Sequence, residues 1–441
     1  MKNFINTLKD IWKIEELKNK ILLTLGLIAV YRFMAGVPLP GIDPLQLSAL
    51  KQSTEGGLLG LLNAFTGGAF SRASIMALGI MPYISASIVV QLMGIAVPYL
   101  QKLQKDGESG RKKITQITRW LTIAITMLQG PAYIAAIQNT FGLPPEAFLV
   151  ANSTFWISSM VLLTAGTIFA MWLGERITDK GVGNGISLLI TVGIIANFPA
   201  SFLQELNSKT TNAGAGGIMM ILIEIIIWFV VILLTVFLVT AVRKIAVQYA
   251  RRTVAGNIQN VAGSRDYIPL KLNAAGVMPI IFAQAIMFLP LALGNKFPAL
   301  VSLTNPNGWQ YNAIFAFLII IFSFFYTAIT IPTNKMADDL KKSGGFIPGI
   351  RPGKDTGDRL DTVLSRITFP GSLFLAGLSI LPAIVVQFGV QPAWSLFYGG
   401  TSLIIMVGVA IDTIQQINSY LLNSHYDGLM KPGTSNRKSS K

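Results

Sequence analysis

The ionisable residues inside the apolar stretches are few, and their types limit the chemistry this chain can do. Arg32 lies near the end of one stretch. Glu224 sits early in "IMMILIEIIIWFVVILLTVFLVTAV", and Asp412 lies about two turns from the end of another. An acid or base at membrane depth is costly and marks an ion path or a proton relay, but no two of these share a stretch. Each also fits an interfacial anchor, and Glu224 can snorkel or pair. The chain has no cysteine, which excludes disulfides and thiolate metal sites, and its single histidine, His425, lies in a polar tail. That rules out an H-E-x-x-H zinc site and a histidine-activated nucleophile. "GIRPGKDTGD" resembles a phosphate loop, but Pro348 stands where the first glycine belongs and Asp355 where Ser or Thr belongs. The residues therefore point to no enzyme, no metal and no cofactor.

The elements that carry these residues are membrane helices. Of 441 residues, 52% are hydrophobic and 12% charged, about half the charged fraction of an ordinary soluble domain. Ten apolar segments reach spanning length, near 21–37, 73–99, 115–139, 153–173, 184–204, 217–242, 273–295, 312–334, 367–388 and 394–420. The first twenty residues are too long and too mixed in charge for a cleaved signal. Phe4, Leu8, Ile11, Trp12 and Leu17 recur there at helical spacing, which predicts an amphipathic helix on the membrane surface. With the N-terminus inside and ten crossings, 30 of the 35 Lys and Arg residues fall on the cytoplasmic side. The net charge of +15 is then positive-inside bias rather than a nucleic-acid surface, and both termini are cytoplasmic.

Five crossings precede the outer loop "NSKTTNAGAGG" and five follow it. An odd count per half makes the halves enter from opposite sides, the arithmetic of an inverted repeat with a site at the interface. Small-solute transporters share that plan, but they need a polar midplane site, and an intramembrane enzyme needs catalytic groups. The long cytoplasmic loops, 243–272 and 335–366, are basic and punctuated by Gly and Pro. Arg251, Arg252 and Arg351 there suit either anionic lipid or bidentate docking to carboxylate or phosphate.

One segment fits neither loop nor span. "GGLLGLLNAFTGGAF", Gly56 to Phe70, is apolar but only about 15 residues long, the length of a re-entrant or buried helix. Both its ends lie on the outer side. Short backbone at membrane depth survives only within protein or beside a water-filled cavity.

Several stretches together resemble the SecY family: "SRASIMALGIMPYISASIVVQLM", "DGESGRKKITQITRW", "MWLGERITDKGVGNGIS", "IPLKLNAAGVMPIIFA", "SFFYTAI", "LKKSGGFIPGIRPG" and "FYGGTSLII". They run in order over nearly the whole chain. The resemblance implies an all-α polytopic membrane protein: ten transmembrane helices in two inverted five-helix halves around an hourglass pore, with a short re-entrant plug helix. It divides the chain into a surface helix (1–20), a first half (21–205, plug about 56–71), a hinge loop (206–216), a second half (217–420) and a basic tail (421–441).

The implied function is a protein-conducting channel in the bacterial cytoplasmic membrane, passing unfolded proteins across and releasing apolar segments sideways. Energy would come from a SecA motor ATPase, the ribosome and the proton-motive force. The implied waist is a ring of Ile84, Ile88, Ile186, Ile190, Ile281 and Ile405. Ile84/Ile88 and Ile186/Ile190 are i,i+4 pairs, so each pair shares a helix face, and an apolar constriction blocks ions by dewetting. Leu58, Leu59, Leu61, Leu62, Asn63 and Phe65 would form the plug, and Gln91 and Gln284 would line the lateral gate. Arg351 of "GIRPG", with Arg251 and Arg252, would receive SecA or the ribosome. Small subunits resembling SecE and SecG, signal sequences, nascent chains and anionic lipids complete the implied partners.

Overall fold

The computed structural model describes residues 12, 14–47, 50, 57–139, 147–211, 217–249, 265–293 and 308–430. The chain runs through α1 (Glu15–Met34), the short α2 (Gly57–Phe65), α3 (Met81–Ala96), α4 (Pro98–Lys105), α5 (Gly107–Asn139), α6 (Asn152–Lys180), α7 (Gly185–Thr211) and α8 (Gly217–Thr240). After β1 (Val242–Tyr249) and β2 (Arg265–Lys271) come α9 (Met278–Leu293), α10 (Trp309–Thr330) and α11 (Thr333–Lys342). Then follow β3 (Gly345–Phe346), α12 (Lys354–Gln387), α13 (Pro392–Ser395) and α14 (Gly400–Met430). Each of the ten apolar segments contains a helix. Among the described residues seven helices are long and apolar enough to span alone, and α3 with α4 makes an eighth if that bent pair is one span. Backbone groups in hydrocarbon have no water to bond, so helices with internal hydrogen bonds are the form such segments must take. α8 shows the matching surface: Ile218, Phe229, Leu233 and Phe237 are exposed around it, as lipid-facing side chains are.

The chain divides into two compact units. The first comprises residues 1–54, 62–197 and 409–441, and the second comprises 55–61 and 198–408. In the first unit, the loop between α6 and α7 is tied to both terminal helices. Val182 N–H donates to Thr24 Oγ1 at 3.1 Å, and Gly183 N–H donates to Gln416 Oε1 at 2.9 Å. The Lys20 ammonium also meets Glu16 at 2.8 Å and the Tyr420 hydroxyl at 3.2 Å. Arg119 of α5 grips Glu175 of α6 with both nitrogens, at 3.0 and 2.6 Å, a planar fork on a planar carboxylate.

Two elements depart from the sequence expectation. The segment expected from residue 73 becomes helical only at Met81. Residues 73–75 instead lie against 37–39, with Leu39 N–H donating to the Ala73 carbonyl at 2.8 Å and Ile75 N–H to the Val37 carbonyl at 3.0 Å. Those main-chain bonds compete with a helix, and Pro82 in the first turn then starts one. The second departure lies in the 243–272 loop, where the described residues form strands in a chain read as all-α. Val242–Tyr249 pairs antiparallel with Arg265–Lys271, from Val242 opposite Lys271 to Gln248 opposite Arg265. Gly345–Phe346 adds a short third strand, in the order β2-β1-β3. Val247, Ile347 and Leu360 are buried together beneath it. Arg251 and Arg252 lie outside the described residues, as do Phe4, Leu8 and Ile11 of the expected surface helix.

In the second unit, Glu224 pairs rather than snorkels. The Lys209 ammonium, 4% exposed, lies 3.3 Å from Glu224 and 3.7 Å from Glu205, and donates to the Gly389 carbonyl at 2.8 Å. Glu205 Oε2 accepts from Gln391 N–H at 2.8 Å. Beside this cluster Phe198, Phe202, Trp228, Trp394 and Phe397 pack in tilted and edge-to-face pairs at centroid distances of 5.2–5.9 Å. Trp228 Nε1–H is satisfied by the Phe397 carbonyl at 2.9 Å. One ammonium thus serves two buried carboxylates, and removing it leaves both without their counter-ion. Lys209→Met is therefore expected to destabilise the protein by about 3–5 kcal/mol, read as a lowered thermal midpoint in detergent. A midpoint equal to wild type would show that the ammonium contributes nothing.

Candidate functional site

The short apolar segment forms the helix expected of it, and its C-terminal end is where the first unit spends most polar contacts. Five residues after Asn63 the chain reverses. Gly68 N–H donates to the Asn63 carbonyl at 2.9 Å, and Asn63 Oδ1 accepts from Ser71 N–H at 3.0 Å. Thr66 Oγ1 accepts from Phe70 N–H at 3.2 Å, so side chains within the 63–71 turn satisfy part of its backbone. Neighbouring helices then hold the turn. Arg32 of α1 donates to the Gly67 carbonyl at 3.0 Å, Asn197 Nδ2 of α7 to the Asn63 carbonyl at 3.4 Å, and the Tyr133 hydroxyl of α5 to the Phe70 carbonyl at 2.8 Å.

Two glycines make the approach possible. Gly67 has φ +64°, and a Cβ there would meet the Arg32 guanidinium and lie 2.8 Å from the Gly193 Cα. A Cβ on Gly193 would lie 2.6 Å from the Phe65 carbonyl oxygen. Only glycine at both positions lets these backbones touch while Gly67 stays left-handed. Ala64 and Phe65 are buried, whereas Leu62 and Asn63 are half-buried. The side chains of Leu58, Leu59 and Leu61 lie outside the described residues.

The candidate isoleucines are set on their helices by local signals. Asn184 caps α7, its Oδ1 accepting from the backbone N–H groups of Ile186 and Ser187 at 3.1 and 3.3 Å. Gly185 lies directly on α6, too close to the Gly174 carbonyl to carry a Cβ. This fixes where Ile186 and Ile190, four apart, begin their face of α7. Ile84 and Ile88 occupy the first turns of α3 behind Pro82. In the second unit Ile281 lies on α9 and Ile405 on α14. Ile84, Ile88, Ile190 and Ile405 are 4–8% exposed, and Ile186 and Ile281 are half-buried. No charged side chain stands within a helical turn of any of the six.

The two glutamines differ. Gln91 donates to Ser87 Oγ on its own helix at 3.3 Å. Gln284 is buried, 3% exposed, inside the second unit. Arg351 is exposed on a loop that cannot shift freely: Phe346 is paired to β1, Ile347 is buried, and the Arg351 carbonyl accepts from Thr356 Oγ1 at 2.8 Å. Arg32 was legible only as an interfacial cation, and Gly193 and Asn197 carried no signal, because a contact between distant segments leaves no spacing to read.

Comparison with known proteins fits this arrangement. The SecY family model matches residues 74–414. The protein translocase subunit SecY of Haemophilus influenzae is 41% identical over 428 residues, covering 94% of both chains. That of Streptomyces scabiei is 40% identical over 437 residues, covering 95% of this chain and 98% of its own. The chain belongs to the SecY family. Its fold agrees with solved members: a structure described as a protein conducting channel superposes with a TM-score of 0.62 at 18% identity, covering 94% of both chains. The canine Sec61 of a ribosome-channel complex gives 0.58 at 18%, with the same coverage. As a SecY-family member the chain is a multi-pass membrane channel subunit of a protein translocase, not an enzyme, and the solute-transporter alternative is not favoured.

The chain's lack of cysteine gives a direct probe of the turn. Ala69 is fully buried, so Ala69→Cys provides one protected thiol. Removing the charged Arg32 donor as Arg32→Ala is worth about 1.5–3 kcal/mol. Maleimide labelling of that thiol should therefore accelerate about tenfold or more. Gly193→Val should accelerate it as well, by steric displacement. Equal labelling rates in all three backgrounds would show that these contacts do not hold the turn.

Proposed function

We propose that this chain carries unfolded proteins through a pore between its halves and releases apolar segments sideways into the bacterial cytoplasmic membrane, with both termini cytoplasmic. The observation that carries the reading is the short helix itself: too short to span, glycine-flanked, and tethered at Gly67 by Arg32 in a chain of this family. A helix held at one end by a few polar contacts can withdraw without disrupting a packed core. It suits a stopper on the outer side of a constriction built from Ile84, Ile88, Ile186, Ile190, Ile281 and Ile405. Isoleucine suits the constriction because it excludes ions by dewetting and offers a passing polar chain no hydrogen bond. α3 and α9 would part to form the side exit. Arg351, presented on its braced loop, would dock SecA or the ribosome together with Arg251 and Arg252, and subunits resembling SecE and SecG would complete the complex.

Conductance through reconstituted channels tests the seal. Deleting 57–67, or combining Ile88→Gly with Ile190→Gly, is expected to raise the resting ion leak while the channel still assembles. Unchanged leak in both would refute the plug and the ring. For docking, Arg351→Glu is expected to lower SecA-driven transport of a precursor while membrane insertion of the channel stays normal. Wild-type transport from that variant would remove Arg351 from the docking site.

A further inference from the structure

The second unit holds a mostly apolar cavity with a few buried polar groups on its wall, which the transport reading leaves unused. It encloses about 70 Å³ among α9, α10, α12, α13 and the start of α14, and Gln284, Tyr311, Phe315, Ser379, Ser395 and Thr401 are among its lining residues. Two of these polar groups have no partner among the described residues. Gln284 Nε2 and Thr401 Oγ1 are both buried, each residue 3% exposed, and neither makes a hydrogen bond among the described residues. The hydroxyls of Ser379 and Ser395 already donate, to the Leu375 and Pro392 carbonyls at 2.8 Å, so what they still offer is acceptor lone pairs. The cavity therefore presents unsatisfied donors and free acceptors together.

That combination selects the ligand. No charged side chain lines the cavity to balance an ion's charge, and its volume is far below what a nucleotide or peptide needs. A bound water requires about 10–15 Å³ by this measure and two to four polar partners, so the space of about 70 Å³ admits roughly five to seven. A buried amide left unpaired costs about 1–3 kcal/mol, which favours occupancy. We infer that this cavity binds a cluster of waters, held by Gln284 and Thr401 and accepted by Ser379 and Ser395.

The placement gives the cluster a use, which rests on the reading of α9 as a gate helix. Gln284 lies three residues after Ile281, so the waters bond the helix face neighbouring the constriction. Water partners exchange as a helix shifts, whereas a protein partner must be broken. The cluster lets α9 move without stranding its amide.

Radiolytic hydroxyl-radical labelling of the intact channel tests the binding without any transport step. Buried side chains are modified when bound water lies beside them and are spared otherwise. Tyr311 and Phe315, 3% and 7% exposed, should be labelled several-fold more than Phe155, which is also buried at 1% exposed. Gln284→Leu combined with Thr401→Val should bring both down to the Phe155 level. Labelling of Tyr311 and Phe315 at the Phe155 level in the wild-type channel would overturn the inference. So would labelling that the double variant leaves unchanged, or high-resolution density showing an acyl chain in the cavity. The wild-type comparison needs no variant to fold, and it reads the resting channel, so its result stands apart from the fate of the gate reading.

Discussion

The absence of water from the hydrocarbon layer governs this molecule. Every backbone N–H and C=O at membrane depth must find its partner inside the protein, and the elements follow from that demand. Long helices satisfy themselves, which is why α5, α6, α7, α8, α10, α12 and α14 are spans by length and apolarity alone. The places where the chain is not helical are costlier, and each shows how the cost is met. Residues 73–75 borrow partners from 37–39. The turn after α2 is closed by Asn63 and Thr66, and then by Arg32, Asn197 and Tyr133.

The same demand explains where charge is tolerated. Arg32 spends its guanidinium on a backbone carbonyl, where no carboxylate is needed because the turn leaves that oxygen free. Lys209 is surrounded by two carboxylates and a carbonyl, and an aromatic cluster packs beside it. A buried ion pair gains little over a well-packed apolar one, but breaking it is severe. Such clusters therefore fix one arrangement of helix ends rather than add general stability. Beyond the long apolar helices the constraint lifts, and the polar backbone of β1, β2 and β3 pairs as a sheet.

What could be read from the sequence divides along the same line. The ten apolar segments were legible because a span needs about 20 apolar residues whatever its neighbours are. Charge bias was legible because it is a count. The short length of α2 was legible as an anomaly, and the family resemblance gave it a meaning. The late start of α3 was not legible: Ser71 to Ile80 is apolar enough for a helix, but it folds as successive turns, with 73–75 bonded to the distant residues 37–39. The hairpin hid behind its Lys and Arg residues, which drew attention to topology instead of to the alternation in Val242–Tyr249. Gly193 and Asn197 were invisible because their role exists only once α7 lies against the turn.

A removable stopper must be held weakly enough to leave and specifically enough to return. Apolar packing supplies weak, non-directional grip that scales with area, so a larger helix would seal well but leave slowly. Hydrogen bonds at one end supply direction instead. With Gly67 left-handed and pressed against Gly193, and its carbonyl held by Arg32, the turn after the helix has one seat that a side chain at either glycine would spoil. The helix preceding it can then be short and glycine-rich, because its position is inherited from the turn. On this argument the glycines of "GGLLGLLNAFTGGAF" divide their labour: those at the start loosen the helix, and Gly67 fixes the point to which it returns.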